Sequence, residues 1–431
     1  MTHQKDHKFS TKAIHGAVDK TATGGSRNMP IHQTVCYHFD DAKHAADLFG
    51  LEKPGFIYSR LTNPTTDLLQ KRLAIAENGV GATASSSGLS AQFMALFPLM
   101  TSGDEFIASR KVYGGSGSQF KNSFKKFNWK AIFVAPENTD GFKDAITDKT
   151  KAIFVESVSN PSGAVPDFKA LAKIAHSAGI PLIVDNTIAT PALFNPIDVG
   201  ADLVTHSLTK YISGQSTSMG GIVVDSGNVN WARNDKFPSL SQPDDSYHGL
   251  AFYTKFGKMA FTMYCHAVVL RDFGMALAPM NAHHIMLGLE TLDIRMQRHV
   301  ANDTKVAEFL DGHKQITYVS YTGLKSHPSY KRAKEYMPHG TGGLFTFGLK
   351  NPDAGKRVVE NATLFHNMAH IGDASSFLIH PASTTHMQLT LEEQKAADAG
   401  PEVIRCSVGL EDANDLIADL DQAIAKAVRK N

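Results

Sequence analysis

Four short stretches of this sequence combine residue types able to act together on a small molecule. Thr205–Tyr211 reads THSLTKY, a lysine among hydroxyls directly after an apolar run. The Lys210 amine is a nucleophile able to form a Schiff base with an aldehyde, and Ser207 and Thr209 offer hydroxyls to a phosphate. Standing alone, a solvated lysine after a strand accounts for the same letters. Asp185 closes IPLIVD, and a carboxylate at the end of a buried run is costly unless a cation meets it. A pyridinium nitrogen is one such cation; capping of the next helix is the ordinary alternative. Ser85–Ser90 (SSSGLS) precedes an apolar helix running through Met100. Small residues at a helix start expose N–H groups to a phosphate, although serine also serves there as a simple cap. Arg405, within VIRCSVG, calls for an anionic partner, either a substrate carboxylate held bidentately or a structural salt bridge.

In combination these four outline an enzyme that uses pyridoxal phosphate: a covalent lysine, a charge partner for the ring, a phosphate cradle and an arginine for a carboxylate. Neither GxGxxG nor GxxxxGK[ST] occurs, which counts against dinucleotide and P-loop chemistry.

Elements able to position these residues are visible in the hydrophobic pattern. Lys151–Ser157 (KAIFVES), Ile180–Asp185 (IPLIVD), Ala201–Thr205 and Gly221–Asp225 (GIVVD) read as buried strands. Between the first two, Asp167–Ala178 places Phe168, Leu171, Ile174, Ala175 and Ala178 at helical spacing, with Gly179 as its stop. This alternation predicts a mainly parallel sheet with helices on both faces, and such sheets bind ligands at the carboxyl ends of their strands. Asp185 and the Ser207–Lys210 cluster fall there. The first sixty residues are polar and punctuated, and read as an arm. After Met280 the pattern shifts to one long helix over Ala282–His299, short strands at Gly342–Gly348 and Val403–Val408, and a closing helix over Glu411–Val428. The expected division is an arm over 1–60, a large domain over 61–280 with an insertion near 228–260, and a smaller α/β domain over 281–431.

Composition bounds the rest. The chain has 431 residues, enough for two or three domains at ~150 each. Lys and Arg number 43 against 42 Asp and Glu, a net charge of +1 that gives no electrostatic reason to expect nucleic acid or an anionic membrane. No apolar stretch reaches the roughly 18 residues of a transmembrane helix, and the start MTHQKDHKFS lacks an apolar signal core, so a cytoplasmic globular protein is expected. Cys36, Cys265 and Cys406 are too far apart for a CxxC site, and His283 and His284 are adjacent and cannot converge from a helix, so no metal is expected.

With these residues in view, the sequence resembles the Cys/Met metabolism family of pyridoxal phosphate enzymes over nearly its whole length. The landmarks are YSRLTNPT (Tyr58–Thr65), SSGLSA (Ser86–Ala91), VYGGS (Val112–Ser116), ESVSNP (Glu156–Pro161), VDNT (Val184–Thr187), SLTKY (Ser207–Tyr211) and HPASTTH (His380–His386). FPSLSQPDDSYHG (Phe237–Gly249) lies in an insertion typical of the O-acetylhomoserine sulfhydrylase branch, and STSMGG (Ser216–Gly221) fits that branch too.

The resemblance implies the aspartate aminotransferase-like fold of type I, and a transferase that makes homocysteine from O-acetylhomoserine and sulfide in methionine biosynthesis. It also implies roles. Lys210 carries the cofactor and shuttles the proton, Tyr113 stacks on the ring, Asp185 pairs with the ring nitrogen, and Asn160 bonds the phenolic oxygen. Gly88, Leu89, Ser207 and Thr209 hold the phosphate. Tyr58 and Arg60 reach the phosphate of a neighbouring subunit, making a dimer that pairs into a homotetramer, and Tyr58 also borders the substrate. Arg405 with Ser376 holds the substrate carboxylate. Departures from the family pattern are His32 for a common tyrosine, Leu89 for Gln or Met, and Ser375 for a frequent basic residue. Other readings are γ-replacement with methanethiol or cysteine, γ-elimination of the lyase type, and a non-catalytic assembly-forming relative. γ-Lyases commonly carry a cysteine where Gly115 stands here, which counts against elimination.

Overall fold

Two sheets, each with its own apolar core, organise the chain. The computed structural model describes residues 7–21, 23–385, 387–388, 390–396 and 398–429. The start of the arm at 1–6, the last residue of the His380–His386 motif and the final two residues lie outside the described residues.

The larger sheet has seven strands: β1 (Gly81–Ser85), β2 (Glu105–Ser109), β3 (Lys130–Val134), β4 (Thr150–Glu156), β5 (Leu182–Asp185), β6 (Leu203–Ser207) and β7 (Gly221–Asp225). Their order is β1-β7-β6-β5-β4-β2-β3. Only the pairings made by β7 are antiparallel. The central strands are buried on both faces, as their unbroken apolar runs require. Helix Phe168–Ser177 begins at the Asp167 cap, whose carboxylate accepts the Ala170 N–H at 3.2 Å, and stops before Gly179, whose φ of +66° suits glycine.

The smaller sheet has five strands: β8 (Ile316–Ser320), β9 (Leu344–Leu349), β10 (His366–Asn367), β11 (Phe377–Ile379) and β12 (Val403–Ser407), ordered β10-β11-β12-β9-β8. Helix Ala413–Val428 covers one face with Leu416, Leu420, Ile424 and Ala427, as its apolar spacing requires.

The expected single helix over Ala282–His299 is corrected to two, Pro279–Glu290 and Leu292–Asp311. The joint is Thr291, whose N–H and hydroxyl both turn back to the Gly288 carbonyl, each at 3.2 Å. A threonine hydroxyl competing for backbone bonds favours such a break. The second helix spans both cores, with Leu292 and Met296 in the larger and Val306 and Leu310 in the smaller. Part of the segment 1–60 docks on the body of its own chain: helix Phe9–His15 buries Ala13, and Met29 joins the larger core. Val35 and Phe49 of the same segment remain exposed. Among the described residues no helix is long and apolar enough to cross a membrane.

Candidate active site

Three parallel strands end side by side, and their register builds the floor of the site. Glu156 of β4 lies opposite Asp185 of β5, which lies opposite Thr205 of β6. Cross-strand neighbours share a face, so the three side chains form one row. Asp185 is 7% exposed. Its Oδ2 accepts from the Thr205 hydroxyl at 3.0 Å and from Gln92 Nε2 at 3.3 Å, and its Oδ1 accepts the Thr187 N–H at 3.1 Å. No lysine, arginine or histidine of the described residues forms an ion pair with it. A buried carboxylate held by neutral donors alone leaves a place for a cationic partner. It fits the protonated ring nitrogen of pyridoxal phosphate.

Glu156 was not foreseen as a site residue. Its two oxygens accept the N–H groups of Tyr113 at 2.6 Å and Asn160 at 3.2 Å, so one carboxyl ties together the segments that carry both. Burial first, and the neighbouring Asp185 second, push its pKa up to about 8. It stood within ESVSNP, but only the β4–β5 register reveals that it adjoins Asp185.

The helix Gly88–Leu96 starts one residue after a reciprocal cap. Ser87 Oγ accepts the Ser90 N–H at 3.2 Å, and Ser90 Oγ accepts the Ser87 N–H at 2.9 Å. These serines therefore satisfy the cap, and the N–H groups of Gly88 and Leu89 are the ones left to an anion. A Cβ on Gly88 would lie 2.7 Å from Ser207 Cβ, so only glycine lets this helix start approach the end of β6. The Leu89 side chain is partly exposed, so only its backbone N–H is turned to the helix start. Of the two hydroxyls read as phosphate ligands, that of Thr209 bonds both the carbonyl and the N–H of Gly220, at 3.3 and 3.1 Å.

Lys210 follows in the turn after β6. Its Nζ donates to His370 Nδ1 at 3.0 Å, and burial first, then the Arg405 charge, bring its pKa down to about 8. His370, from the smaller domain, is a second site residue that the pattern of the sequence did not single out. Tyr113 caps the short helix Gly114–Ser118 with its ring 48% exposed. A Cβ on Gly115 would fall 2.4 Å from Tyr113 Cε1, so a side chain there would push this ring aside.

Arg405 projects from β12. It is 8% exposed, and Nη2 donates to the His370 carbonyl at 3.4 Å. No carboxylate of the described residues pairs with it, and burial lowers its pKa. A buried guanidinium without an anion fits a substrate carboxylate.

Ser376 is corrected. Pairing places Ile379 opposite Arg405 and Phe377 opposite Ser407, so Ser376 belongs with Leu378 and Cys406 on the other face. Its hydroxyl donates to Glu411 Oε2 at 2.9 Å and accepts the Gly409 N–H at 2.8 Å. It is fully buried scaffold. Tyr58 and Arg60, expected at the phosphate of a neighbouring subunit, form no hydrogen bond with Lys210 among the described residues of one chain. Tyr58 is 40% exposed, and the Arg60 guanidinium lies 5.3 Å from the centre of its ring and donates to the Arg271 carbonyl.

The chain matches the family model for Cys/Met metabolism PLP-dependent enzymes over residues 10–425. It is 43% identical over 430 residues to a homocysteine synthase of Schizosaccharomyces pombe, covering 99% of this chain and 100% of that one. It is 44% identical over 430 residues to an O-acetyl-L-homoserine sulfhydrylase of Leptospira meyeri, covering 97% of each. Among solved structures, a crystal structure described as an O-acetylhomoserine (thiol)-lyase from Campylobacter jejuni superposes with a TM-score of 0.94 at 40% identity. The superposition covers 97% of this chain and 100% of that one, which carries N'-pyridoxyl-lysine-5'-monophosphate.

Proposed function

The chain belongs to the Cys/Met metabolism PLP-dependent enzyme family, and from that premise we propose that it replaces the γ-acetoxy group of O-acetyl-L-homoserine with sulfide. The products are L-homocysteine and acetate, the direct sulfhydrylation step of methionine biosynthesis. The observation that carries this reading is one site in which a buried Asp185 lacks a cation, a buried Arg405 lacks an anion, and Lys210 has a pKa near 8. The names of the relatives support the choice of substrate.

Pyridoxal phosphate, when bound, supplies an aldehyde for amines and a pyridinium ring that accepts electron density from Cα. The chain's residues do the rest. Asp185 keeps the proton on the ring nitrogen, Tyr113 covers the ring, and Asn160 bonds the phenolic oxygen. The N–H groups of Gly88 and Leu89, with Ser207 and Thr209, hold the phosphate at a helix N-terminus. Lys210 carries the cofactor between turnovers and, once freed, takes the Cα proton. An amine with a pKa near 8 is unprotonated in about a tenth of molecules at neutral pH, far more often than an ordinary lysine, as a base needs. Arg405 fixes the substrate carboxylate so that Cα–H faces Lys210. A second proton leaves Cβ, its electron pair expelling acetate from Cγ; hydrosulfide then adds at Cγ to form the Cγ–S bond, and protons return to Cβ and Cα. Tyr58 and Arg60 complete the phosphate site of a neighbouring copy. The working unit is thus a dimer, paired into a homotetramer, with the 1–60 segment contributing to the contact. The proposed compartment is the cytoplasm, and three unpaired thiols suit its reducing conditions.

The test is product analysis of the loaded enzyme with O-acetylhomoserine, with and without sulfide. Homocysteine forming only with sulfide is expected. Oxobutyrate and ammonia at equal rates in both would overturn the proposal in favour of an eliminating lyase.

A further inference from the structure

We propose that His370 is a positioning residue for Lys210, its Nδ1 accepting a hydrogen bond that fixes where the amine points whenever the cofactor does not hold it. The inference rests on the reading of Lys210 as the cofactor-bearing lysine.

Three features of the structure converge on it. The Nζ–Nδ1 distance is 3.0 Å, a normal hydrogen bond rather than a chance approach. The ring is held in place, edge-on to Phe377 with centroids 5.6 Å apart, and its own carbonyl accepts from Arg405 Nη2 at 3.4 Å. The same short segment therefore touches both the lysine and the arginine of the site. The far nitrogen, Nε2, is buried and meets no partner among the described residues. Because the amine donates to Nδ1, the ring proton resides on Nε2. A buried N–H without an acceptor is costly, so the site has a place for an acceptor atom of a ligand beside Lys210.

The chemistry suits the task. A lysine presents three donors on a flexible four-carbon stem, so an unanchored amine samples many directions. The charged and titratable groups facing His370 are Lys210, Arg405 and Asp373. Burial first, and the Lys210 charge second, lower the imidazole pKa to about 4, so Nδ1 remains an acceptor throughout the working range. An imidazole in this state accepts from Lys210 in either protonation state of the amine and favours the charged one.

The experiment uses the full chain stripped of cofactor, and reads the pH midpoint for acetylation of Lys210 by trace acetic anhydride, followed by peptide mass spectrometry. His370→Phe keeps the bulk and removes the acceptor. The midpoint is expected to fall by about one pH unit from its position near 8, the size of one hydrogen bond to a charged group. His370→Asn places Oδ1 where Nδ1 was and is expected to restore it. An unchanged midpoint in His370→Phe, with the thermal transition intact, would overturn the inference. Adding pyridoxal phosphate to the wild type separates the two ideas. Protection of Lys210 from acetylation upholds its identity as the cofactor lysine, and no protection would overturn that reading and this inference together.

Discussion

The site is made by two regions that are built differently. The floor comes from the ends of β4, β5 and β6, neighbours in one sheet whose register sets Glu156, Asp185 and Thr205 in a row. The facing side comes from β12 and the segment before β11, where Arg405 and His370 converge on Lys210. On the floor, backbone pairing fixes every side chain. On the facing side, position depends on which face of a strand a residue takes and on contacts made far along the chain. The two regions hold opposite uncompensated charges, a carboxylate below and a guanidinium above, each suited to a different part of the bound chemistry. In the function proposed above, the floor would serve the cofactor and the facing side the amino acid.

The division can be broken at either end. The largest effect is expected from Asp185→Asn, which removes the floor's charge while keeping its shape. Losing one member of a buried pair costs about 3–5 kcal/mol, so kcat is expected to fall about 10²–10⁴-fold, with weaker retention of the cofactor. Activity near the wild-type level in a cofactor-saturated assay would show that Asp185 does not serve the ring. A smaller and different effect is expected on the facing side. Arg405→Met is expected to raise KM for O-acetylhomoserine by about 10–100-fold while the cofactor is retained, in keeping with hydrogen bonds to a charged group. Ser376→Ala is expected to leave KM within about twofold and instead to lower the thermal midpoint, because Glu411 and Gly409 lose a buried partner worth about 1–3 kcal/mol. Equal KM effects in the two variants would restore Ser376 to the substrate site.

The same contrast governs what could be read in advance. The places of Asp185 and Lys210 were legible because IPLIVD and the run before THSLTKY are unbroken apolar strands, and a polar residue after such a run lies at the carboxyl end of its strand. The small residues at Gly88 were legible for a similar reason, since a helix start is marked by its cap. Arg405 was visible as a charge in an apolar strand. Glu156 was not, since its importance lies in the register of a neighbour nearly thirty residues away. Ser376 was misplaced because the alternation of a three-residue strand and a carboxylate from Glu411 decide its face, and neither is periodic. His370 sits in a connecting segment, where no pattern distinguishes a histidine that meets an active lysine from one that meets water. The long helix was read through Thr291 because a hydroxyl turning back to Gly288 leaves the apolar spacing intact.

The most direct test of the central claim, that the lysine after β6 bears the cofactor between these two regions, is borohydride reduction of the loaded enzyme followed by peptide mapping. The pyridoxyl group is predicted on Lys210 alone. Its recovery on any other lysine would contradict the account.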